Sequence, residues 1–414
     1  MSKLIGNAVF GQSGGPTSVI NASAAGVFTE ALRQTGVIEK VYGAANGIVG
    51  ILNEKFYDIG QEDPAELELL KTTPSSALGS CRYKLADPDV DDTDYKRILE
   101  VFRKHNIRYF FYNGGNDSMD TCNKISKFMQ KAGYDCRVMG VPKTVDNDLY
   151  GTDHCPGFAS AAKYIATTCM EVYLDARVYD TGMITVIEIM GRNAGWLAAS
   201  AALASYKGYG PDLIYLPEVD FDLEKMLRDV QRIYQKENKV IVAVSEGVKT
   251  REGKYIPELV GELRVDAFGH KQMGGTASVL ADYLRDKIDC KVRAIEFSLM
   301  QRCAAHLASL TDVEEAFLAG QTAVRCAVDG MTDLMVGFQR PAEGPYQCEI
   351  NLVPLSKVAN TEKKVPREWI NDEGNFVNKQ FIDYALPLIQ GESRIALKDG
   401  LPRFAKLKKV PVNG

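Results

Sequence analysis

Short apolar runs recur along the chain, and most of them lead directly into a turn that contains glycine and polar residues. The runs are continuous, as in buried strands, whereas the segments after the turns place apolar residues three and four positions apart, as in helices. The predicted strands are Ala8–Phe10, Ile107–Tyr112, Arg137–Met139, Met183–Ile189, Asp212–Pro217 and Val240–Val244. Strands that alternate with helices, without internal repeats, predict an α/β fold with doubly wound, mostly parallel sheets covered on both faces.

Length and charge limit the class of protein. At 414 residues with 45% hydrophobic content, the chain can bury a large core and is too long for one ordinary domain, so two domains are expected. A net charge of -5 gives no general attraction to nucleic acid or to an anionic membrane. The sequence has no signal peptide and no long apolar segment, and its nine cysteines form no C-x-x-C pair. These features favour reduced thiols in the cytoplasm over a disulfide framework or a zinc site.

The stretch Gly140–Asp148 contains the densest group of candidate chemical residues. It follows a predicted buried strand, so its polar groups should emerge at a sheet edge, where ligands usually bind. If the backbone is extended, Asp146 and Asp148 point to the same side, where they can share a divalent cation or act as one base and one metal ligand. Lys143 then supplies a point charge for a phosphate. An Asx-rich surface turn is the structural alternative.

Two other turns follow predicted strands and precede predicted helices. In Gly11–Thr17, glycines let backbone N–H groups approach a phosphate at the positive end of the next helix, although the lysine of a P-loop is absent. In Asn113–Ser118, a carboxylate at the helix N-terminus would repel such an anion, so Asp117 either binds a cation or caps the helix. Arg82 and Lys84 end a loop of small residues and, taken alone, have the character of ordinary surface charges.

Six motifs, taken in order, resemble those of the phosphofructokinases. They are Gly14-Gly15, Gly114–Ser118, Pro142–Asp148, Met190-Gly191-Arg192, Ser245-Glu246-Gly247, and Arg293 with Gln301-Arg302. The resemblance covers about residues 4–330 and implies two doubly wound α/β domains with the active site in the cleft between them. It assigns residues 1–157 plus about 305–350 to the phosphoryl donor. Residues 158–304 plus about 351–414 are assigned to the sugar phosphate and a C-terminal extension.

The resemblance also implies an activity. The family phosphorylates the 1-hydroxyl of fructose 6-phosphate with Mg²⁺, and its members divide by donor, either ATP or inorganic pyrophosphate. Asp117 and Lys143 both stand where the ATP users have glycine, and both substitutions resemble the pyrophosphate users. A side chain at position 117 occupies space that a nucleotide needs, and Lys143 reaches a phosphoryl group with no adenosine attached. The implied reaction is reversible transfer from pyrophosphate, giving fructose 1,6-bisphosphate and phosphate, in glycolysis or gluconeogenesis.

Each matched residue receives a role from the resemblance. Asp146 takes the proton from the sugar hydroxyl, and Asp117 and Asp148 hold Mg²⁺ on the transferring group. The rest of the predicted catalytic set is Thr144, Lys143 and Arg192. The residues implied to line the donor are Gly14, Gly15, Arg82, Gly115, Asp117 and Lys143. The residues implied to contact the sugar phosphate are Thr144, Asp146, Met190, Gly191, Arg192, Glu246, Arg293 and Arg302. The cations Arg293 and Arg302 would hold the 6-phosphate.

Some positions depart from the family pattern. Asn116 stands where many members have aspartate, which removes one carboxylate that faces the metal. Met183 and Leu299 replace an arginine and a histidine of the sugar-phosphate pocket of the ATP-using bacterial enzymes. Residues 266–285 form either a second glycine loop or a structural segment. The residues of interest in that segment are His270, Lys271, Gln272, Gly274 and Gly275.

Two alternatives to this reading remain open. One is an ATP-dependent phosphofructokinase that tolerates Asp117, and the other is a non-catalytic sugar-phosphate sensor or regulatory subunit on the same scaffold. The presence of Asp146, Lys143 and Arg192 argues against the second alternative. The resemblance further implies that the chain binds pyrophosphate and fructose 6-phosphate, forms a homo-oligomer, either a dimer or a tetramer, and has no nucleic-acid or membrane partner.

Overall fold

The computed structural model describes residues 3–261, 274–359 and 361–412. Its strands are β1 Gly6–Gln12, β2 Ile38–Ala44, β3 Phe56–Asp58, β4 Ile107–Gly114, β5 Arg137–Pro142, β6 Met183–Ile189, β7 Leu213–Tyr215, β8 Lys239–Ser245, β9 Lys291–Glu296, β10 Leu334–Gln339, β11 Glu349–Pro354, β12 Leu397–Lys398 and β13 Leu401–Pro402. Its α-helices are α1 Ile20–Arg33, α2 Ile48–Leu52, α3 Pro64–Leu69, α4 Thr93–Lys104, α5 Asn116–Lys131, α6 Phe158–Ala176, α7 Trp196–Ser200, α8 Ala202–Tyr206, α9 Leu223–Glu237, α10 Thr276–Lys287, α11 Met300–Cys303, α12 Leu310–Val328, α13 Leu355–Val358 and α14 Lys379–Ala385. Short 3-10 helices lie at Ile59–Gln61, Leu70–Thr72, Ile256–Leu259, Ala305–Leu307, Arg367–Trp369 and Leu386–Ile389.

The chain divides into two compact units. The first unit comprises Met1–Gly157, Ala308–Glu362 and Gly391–Gly414, and the second comprises Phe158–Leu307 and Lys363–Gln390. The described residues of each unit contain their own main sheet. The predicted α/β fold, with helices packed on mostly parallel sheets, is confirmed.

The main sheet of the first unit has seven strands in the order β11-β10-β5-β4-β1-β2-β3. The five inner strands run parallel, and the edge strands β3 and β11 are antiparallel to their neighbours. Val9 and Phe110 point into a core that α4 and α5 cover, whereas Ala8 and Phe10 point into a core that α1 and α12 cover. Apolar side chains on both faces explain why these strands read as continuous apolar runs.

The sheet of the second unit has four parallel strands in the order β7-β8-β6-β9. On one face, Val240, Val242 and Val244 of β8 pack in the same core as residues of α9 and α10. Helices α6 and α7 contact β6 as well. The strand β8 is buried along its whole length, as a central strand covered by helices should be.

The C-terminal part of the predicted division differs in the structure. Only Lys363–Gln390 joins the second unit, whereas the prediction assigned everything from about residue 351 to it. The reason is strand pairing, because β11 extends the first sheet beside β10. The tail then returns to the opposite edge of the same sheet, where Pro411 pairs with Tyr57 of β3. Covering an exposed edge strand in this way protects its unpaired backbone groups.

The cysteines and the helices bear on two other predictions. All nine cysteines are free thiols, as predicted. Among the helices of the described ranges, none is both long and apolar enough to cross a membrane.

Candidate active site

The first unit brings three strand ends to one edge of its sheet. Strand β1 pairs in parallel with β4, and β4 pairs in parallel with β5. The strands that follow β1 in the chain lie on both sides of it, with β2 on one side and β4 on the other. In doubly wound sheets, ligands bind at the carboxyl ends of the strands where the winding reverses. The turns after β1, β4 and β5 therefore meet where a ligand is expected.

The glycine turn after β1 is tied to the loop that precedes Arg82. Gly14 N donates a hydrogen bond to Cys81 O at 3.0 Å, and Ser80 Oγ donates to Gly14 O at 2.6 Å. Gly14 has a φ of 76°, which favours glycine over other residues. Gly15, like Gly14, is partly exposed, and Arg82 is exposed. Because Arg82 directly follows Cys81, the backbone of Arg82 lies beside the glycine turn.

Lys143 lies beside the same turn. Its side chain is only 4% exposed, and a methyl group added at Gly14 would lie 3.2 Å from Lys143 Nζ. The backbone N of Lys143 donates a hydrogen bond to Gly114 O at 3.0 Å, which fixes the end of β5 to the end of β4. A methyl group at Gly115 would lie 3.7 Å from Thr144 Cβ. The structure thus brings together Gly14, Gly115, Lys143 and Thr144.

The backbone between Asp146 and Asp148 is not extended, so the predicted strand-like geometry is wrong. Asn147 has a φ of 58°, in the left-handed region that asparagine tolerates better than most residues. Its fully buried side chain accepts a hydrogen bond at Oδ1 from Cys155 N at 2.8 Å. Asp146 N donates to Thr144 Oγ1 at 3.1 Å. The two carboxylates therefore come from a tight, partly buried turn rather than from one side of a strand.

Asp148 holds its proton to a higher pH than an ordinary aspartate. Burial raises the pKa of Asp148 to about 7, and the negative charges of Asp146 and Glu362 add to this effect. Asp148 Oδ2 accepts a hydrogen bond from Asn116 Nδ2 at 2.9 Å. Asn116 Oδ1 is buried and has no hydrogen-bond partner within the described ranges. Carboxylate and amide oxygens thus gather in one place, and these are the ligands that hard divalent cations prefer.

Asp117 lies partly buried in the first turn of α5. The N-cap residue of this helix is Gly115, so Asp117 is not the cap that one interpretation required. The helix dipole favours a carboxylate in this turn. In the part of the chain that the structure describes, no three His, Cys, Asp or Glu side chains are close enough to hold a metal ion. A cation here would also need oxygens from Asn116 or from a bound phosphate.

Glu362 is near the paired carboxylates but is not among the predicted site residues. This residue pairs with Leu149 in an isolated antiparallel bridge, and its charge contributes to the raised pKa of Asp148. Glu362 comes from the distant C-terminal part of the chain and belongs to no motif. Only the folded arrangement brings its charge near the paired carboxylates.

In the second unit, the turn after β6 is bonded to two other segments. Gly191 N donates a hydrogen bond to Glu246 Oε1 at 3.3 Å, and Met190 N donates to Gln301 Oε1 at 3.2 Å. Glu246 follows β8 directly, and Arg302 follows Gln301 in α11. The structure therefore brings Met190, Gly191 and Glu246 together. The backbone of Arg302 lies near them, because Arg302 directly follows Gln301.

Arg192 continues the turn after β6 and has an unsatisfied donor. Its Nε is buried and has no hydrogen-bond partner within the described ranges. A buried polar group without a partner costs free energy, and a charged one costs more. An anion or a hydroxyl group placed at this nitrogen would remove that cost.

Arg293 does not lie with the other predicted sugar-phosphate residues of its own chain. It pairs with Thr185 in the sheet, and β6 runs about 16 Å further before it reaches Met190. The Arg293 guanidinium forms an ion pair with Asp175 at 3.1 Å and lines a cavity of about 250 Å³ between β9, β6 and α6. The expectation that Arg293 and Arg302 hold one phosphate is therefore not met within this chain.

The two substituted positions of the pocket remain apolar in the structure. Met183 is buried at the start of β6, with 5% of its surface exposed, and Leu299 is exposed just before α11. Neither side chain offers a charge or a hydrogen-bond donor to a phosphate. Any phosphate contact in the second unit therefore depends on other residues.

The predicted glycine segment at residues 266–285 is only partly described. Gly274 and Gly275 precede α10, and Glu188 Oε2 accepts a hydrogen bond from Ala277 N at 2.9 Å. Backbone N–H groups of Gly275 and Thr276 also bond to this carboxylate, whose pKa burial raises to about 7. The Glu188 carboxylate thus accepts hydrogen bonds from the N-terminal N–H groups of α10. This contact favours a structural role for the segment over a second phosphate-binding glycine loop. Of the five residues of interest in this segment, His270, Lys271 and Gln272 lie outside the described ranges.

Glycine turns, a buried lysine and paired carboxylates at the carboxyl edge of a doubly wound sheet are typical of α/β proteins that bind phosphate groups. Comparison with known proteins is more specific, because the family model named Phosphofructokinase matches residues 7–297. The chain therefore belongs to the phosphofructokinase family.

Individual relatives match almost the whole chain. A pyrophosphate–fructose 6-phosphate 1-phosphotransferase from Halomonas elongata is 44% identical over 406 residues, covering 97% of this chain and 96% of that protein. The protein of the same name from Methylococcus capsulatus is 43% identical over 409 residues, covering 98% of this chain and 97% of its own. The solved structure of a pyrophosphate-dependent phosphofructokinase from Nitrosospira multiformis has a TM-score of 0.90 and 42% identity, covering 99% of this chain and 98% of that one.

Proposed function

We propose that this enzyme transfers a phosphoryl group from inorganic pyrophosphate to the 1-hydroxyl of fructose 6-phosphate. The observation that carries the proposal is the buried Lys143, whose Nζ lies at the glycine turn after β1. A buried cation at a glycine turn suits a small polyanion better than a nucleoside. Further support comes from the two relatives named above, which are 44% and 43% identical to the chain.

The donor phosphates are assigned to the first unit. Lys143 supplies a positive charge to the transferring group, and Arg82 supplies a second one from the loop bonded to the turn. Gly14 and Gly15 let the pyrophosphate approach the backbone closely, and Gly115 does the same from the next turn. The Asp117 side chain excludes a nucleotide by its bulk and its negative charge.

Asp146 is assigned as the general base. It accepts the proton of the sugar 1-hydroxyl while that oxygen attacks phosphorus in line, and the bond from phosphorus to the bridging oxygen of pyrophosphate breaks. The hydrogen bond from Asp146 N to Thr144 Oγ1 fixes the loop that presents the carboxylate. Holding the base within reach of the hydroxyl is the main contribution of this chain to the chemical step.

Mg²⁺ suits the oxygens of the first unit. Asp148 and Asp117 are the proposed ligands, and Asn116 Oδ1, which is buried and without a partner in the described ranges, is a further oxygen. Because burial and neighbouring negative charges raise the pKa of Asp148, its carboxylate gains from a nearby cation. When bound, a divalent cation neutralises charge on the transferring phosphoryl group.

The sugar phosphate is assigned to the second unit. The buried Nε of Arg192 offers a donor for a sugar or phosphoryl oxygen, and the Glu246 carboxylate, held by Gly191 N, can accept hydrogen bonds from sugar hydroxyls. Met190 contacts the sugar from the same turn, and Arg302 holds the 6-phosphate. Arg293 is not included, because its guanidinium pairs with Asp175.

A coupled assay that detects fructose 1,6-bisphosphate tests the donor directly. We expect kcat/KM for pyrophosphate to exceed that for ATP by at least about 10²-fold, because Asp117 acts by exclusion. Efficient use of ATP would instead identify an ATP-dependent phosphofructokinase. Binding of fructose 6-phosphate without turnover of either donor would identify a sugar-phosphate sensor.

We also propose a homo-oligomer and a cytoplasmic location. Support for association comes from the second unit, where Leu174, Val178 and Tyr179 are 56%, 66% and 66% exposed. Apolar side chains this exposed and this close in sequence are typical of protein contacts. Light scattering after size exclusion should give a multiple of 45.6 kDa, and a mass of one chain would contradict the proposal. The nine free thiols fit a reducing compartment.

A further inference from the structure

A buried histidine in the first unit is hydrogen-bonded to a carboxylate at each of its two ring nitrogens. His154 is 1% exposed. Its Nδ1 lies 2.9 Å from Asp153 Oδ2, and its Nε2 lies 2.6 Å from Glu315 Oε2. An ionised carboxylate can only accept, so with Asp153 and Glu315 both ionised each ring nitrogen donates and the ring is a cation. Burial alone would lower the pKa of His154, but the two carboxylates raise it above its ordinary value.

The partners of His154 are held in turn by other groups. Arg340 donates from Nε and Nη2 to the two oxygens of Asp153 at 2.8 Å each, and the Tyr346 hydroxyl donates to Glu315 Oε1. Phe338 stacks on the imidazole with ring centres 4.9 Å apart. Two cations balance two anions, so the network is neutral and each charge has a partner. A network of this kind fixes its members in one arrangement.

This network is linked to the loop Thr144–Asp148 through the segment that contains His154. The segment from residue 152 to residue 157 contains His154 and contacts the loop at two points. Cys155 N donates a hydrogen bond to Asn147 Oδ1 at 2.8 Å, and Gly157 pairs with Thr144 in a parallel bridge. The segment therefore supports the loop on both sides of Asp146.

Helix α12 holds the same segment with two buried carboxylates. Asp312 Oδ1 accepts a hydrogen bond from Gly157 N at 2.9 Å, and Glu315, three residues later on the helix, bonds to His154. Residues three apart on a helix lie on the same face. The face that α12 turns towards the segment thus fixes it at its middle and at its end.

We propose that His154 is a positioning residue for phosphoryl transfer. Its ion pairs with Asp153 and Glu315 fix the segment from residue 152 to residue 157, and that segment fixes the loop that presents Asp146. Because His154 is buried, it acts through the loop rather than by contact with a substrate. The inference rests on the proposed role of Asp146 as the base.

The first test is the kinetics of His154→Gln with pyrophosphate as donor. We expect kcat to fall by about 10- to 100-fold, because a displaced base loses alignment. The KM for fructose 6-phosphate should stay within about twofold, because its proposed ligands other than Asp146 lie in the second unit. The matched control is His105→Gln, which alters a buried histidine bonded to Glu54 at 3.0 Å, away from the loop. The control should lower the melting temperature and leave kcat unchanged.

The second test separates positioning from general stability. In an Asp146→Asn background, adding His154→Gln should change the residual kcat by less than about twofold, because the group that His154 positions is already absent. If His154→Gln lowers kcat equally in both backgrounds, or leaves kcat of the otherwise unmodified enzyme unchanged, the inference is overturned.

A milder variant covers the case in which His154→Gln does not fold. Glu315→Gln keeps an acceptor for His154 Nε2 and removes one charge, and it should give the same pattern with a smaller loss of kcat. The two proposals fail differently. If the unmodified enzyme does not use pyrophosphate, the proposed function fails, whereas normal kcat in both variants defeats only the positioning role.

Discussion

Replacing Lys143 with methionine tests the assignment of the donor site. Methionine has nearly the length of lysine and no charge, and the side chain is only 4% exposed, so the substitution should be accommodated without a void. Lys143 Nζ lies 3.2 Å from the position of a methyl group at Gly14, at the turn assigned to the phosphates. The variant therefore removes one cation from the donor site and keeps a side chain of similar length.

The expected loss follows from the worth of one charged hydrogen bond. Such a bond contributes about 1.5–3 kcal/mol, and each 1.36 kcal/mol of transition-state stabilisation changes the rate about tenfold. We therefore expect kcat/KM for pyrophosphate to fall by roughly 10- to 150-fold. The coupled assay should be run with saturating fructose 6-phosphate, so that the loss is read on the donor.

Lys84→Met is the control, because Lys84 is an exposed lysine two residues after Arg82, outside the proposed donor site. It should keep kcat/KM within about twofold of the unmodified enzyme. Melting temperatures of both variants show whether each is folded at the assay temperature. If a folded Lys143→Met variant kept kcat/KM for pyrophosphate within about threefold, the buried cation could not be acting on the transferring phosphates.

Three further changes test other parts of the account. Asp146→Asn should lower kcat by about 10² to 10⁴-fold and leave the KM for fructose 6-phosphate nearly unchanged, and near-normal turnover would require another base. Asp117→Gly should let ATP serve weakly while pyrophosphate use survives in part, and continued rejection of ATP would show that the barrier lies elsewhere. Hydrogen bonds from Lys104 and His105 lower the pKa of Glu54 to about 2, so its stabilising effect is present above pH 4.5 and lost as pH falls through 2. Glu54→Gln should therefore melt at a lower temperature than the unmodified protein at pH 7, and a difference that did not shrink on acidification would contradict this linkage.

The sequence predicts the elements of the site because the relevant signals are local. A continuous apolar run followed by glycine and polar residues marks a strand exit, and parallel strands place their exits at one edge. Gly14, Gly115 and Lys143 follow three different strands, and the structure brings them together. To predict that these three residues lie close together, it is enough to predict that the three strands are parallel neighbours.

Other features could not be read from the sequence, because they depend on backbone conformation or on distant contacts. The left-handed conformation of Asn147 replaces the predicted extended geometry, since a buried hydrogen bond from Cys155 N stabilises it. Arg293 belongs to a family motif, yet it pairs with Thr185 and so lies five residues along the strand direction from Met190. Glu362 has no local signal, and only tertiary folding brings its charge near Asp148.

The part of the chain after the matched region of the family model is needed to build the first unit. The match ends at residue 297, whereas β10 lies beside β5 and pairs with it at Met139 and Gly140. Without β10, the strand that leads into Lys143 would be an open edge with unpaired backbone groups. Helix α12 is equally integral, because a methyl group at Gly26 of α1 would lie 2.1 Å from Phe317 O. Glycine at position 26 allows the two helices to touch, and this contact fixes the helix whose carboxylates support the loop that carries the proposed base.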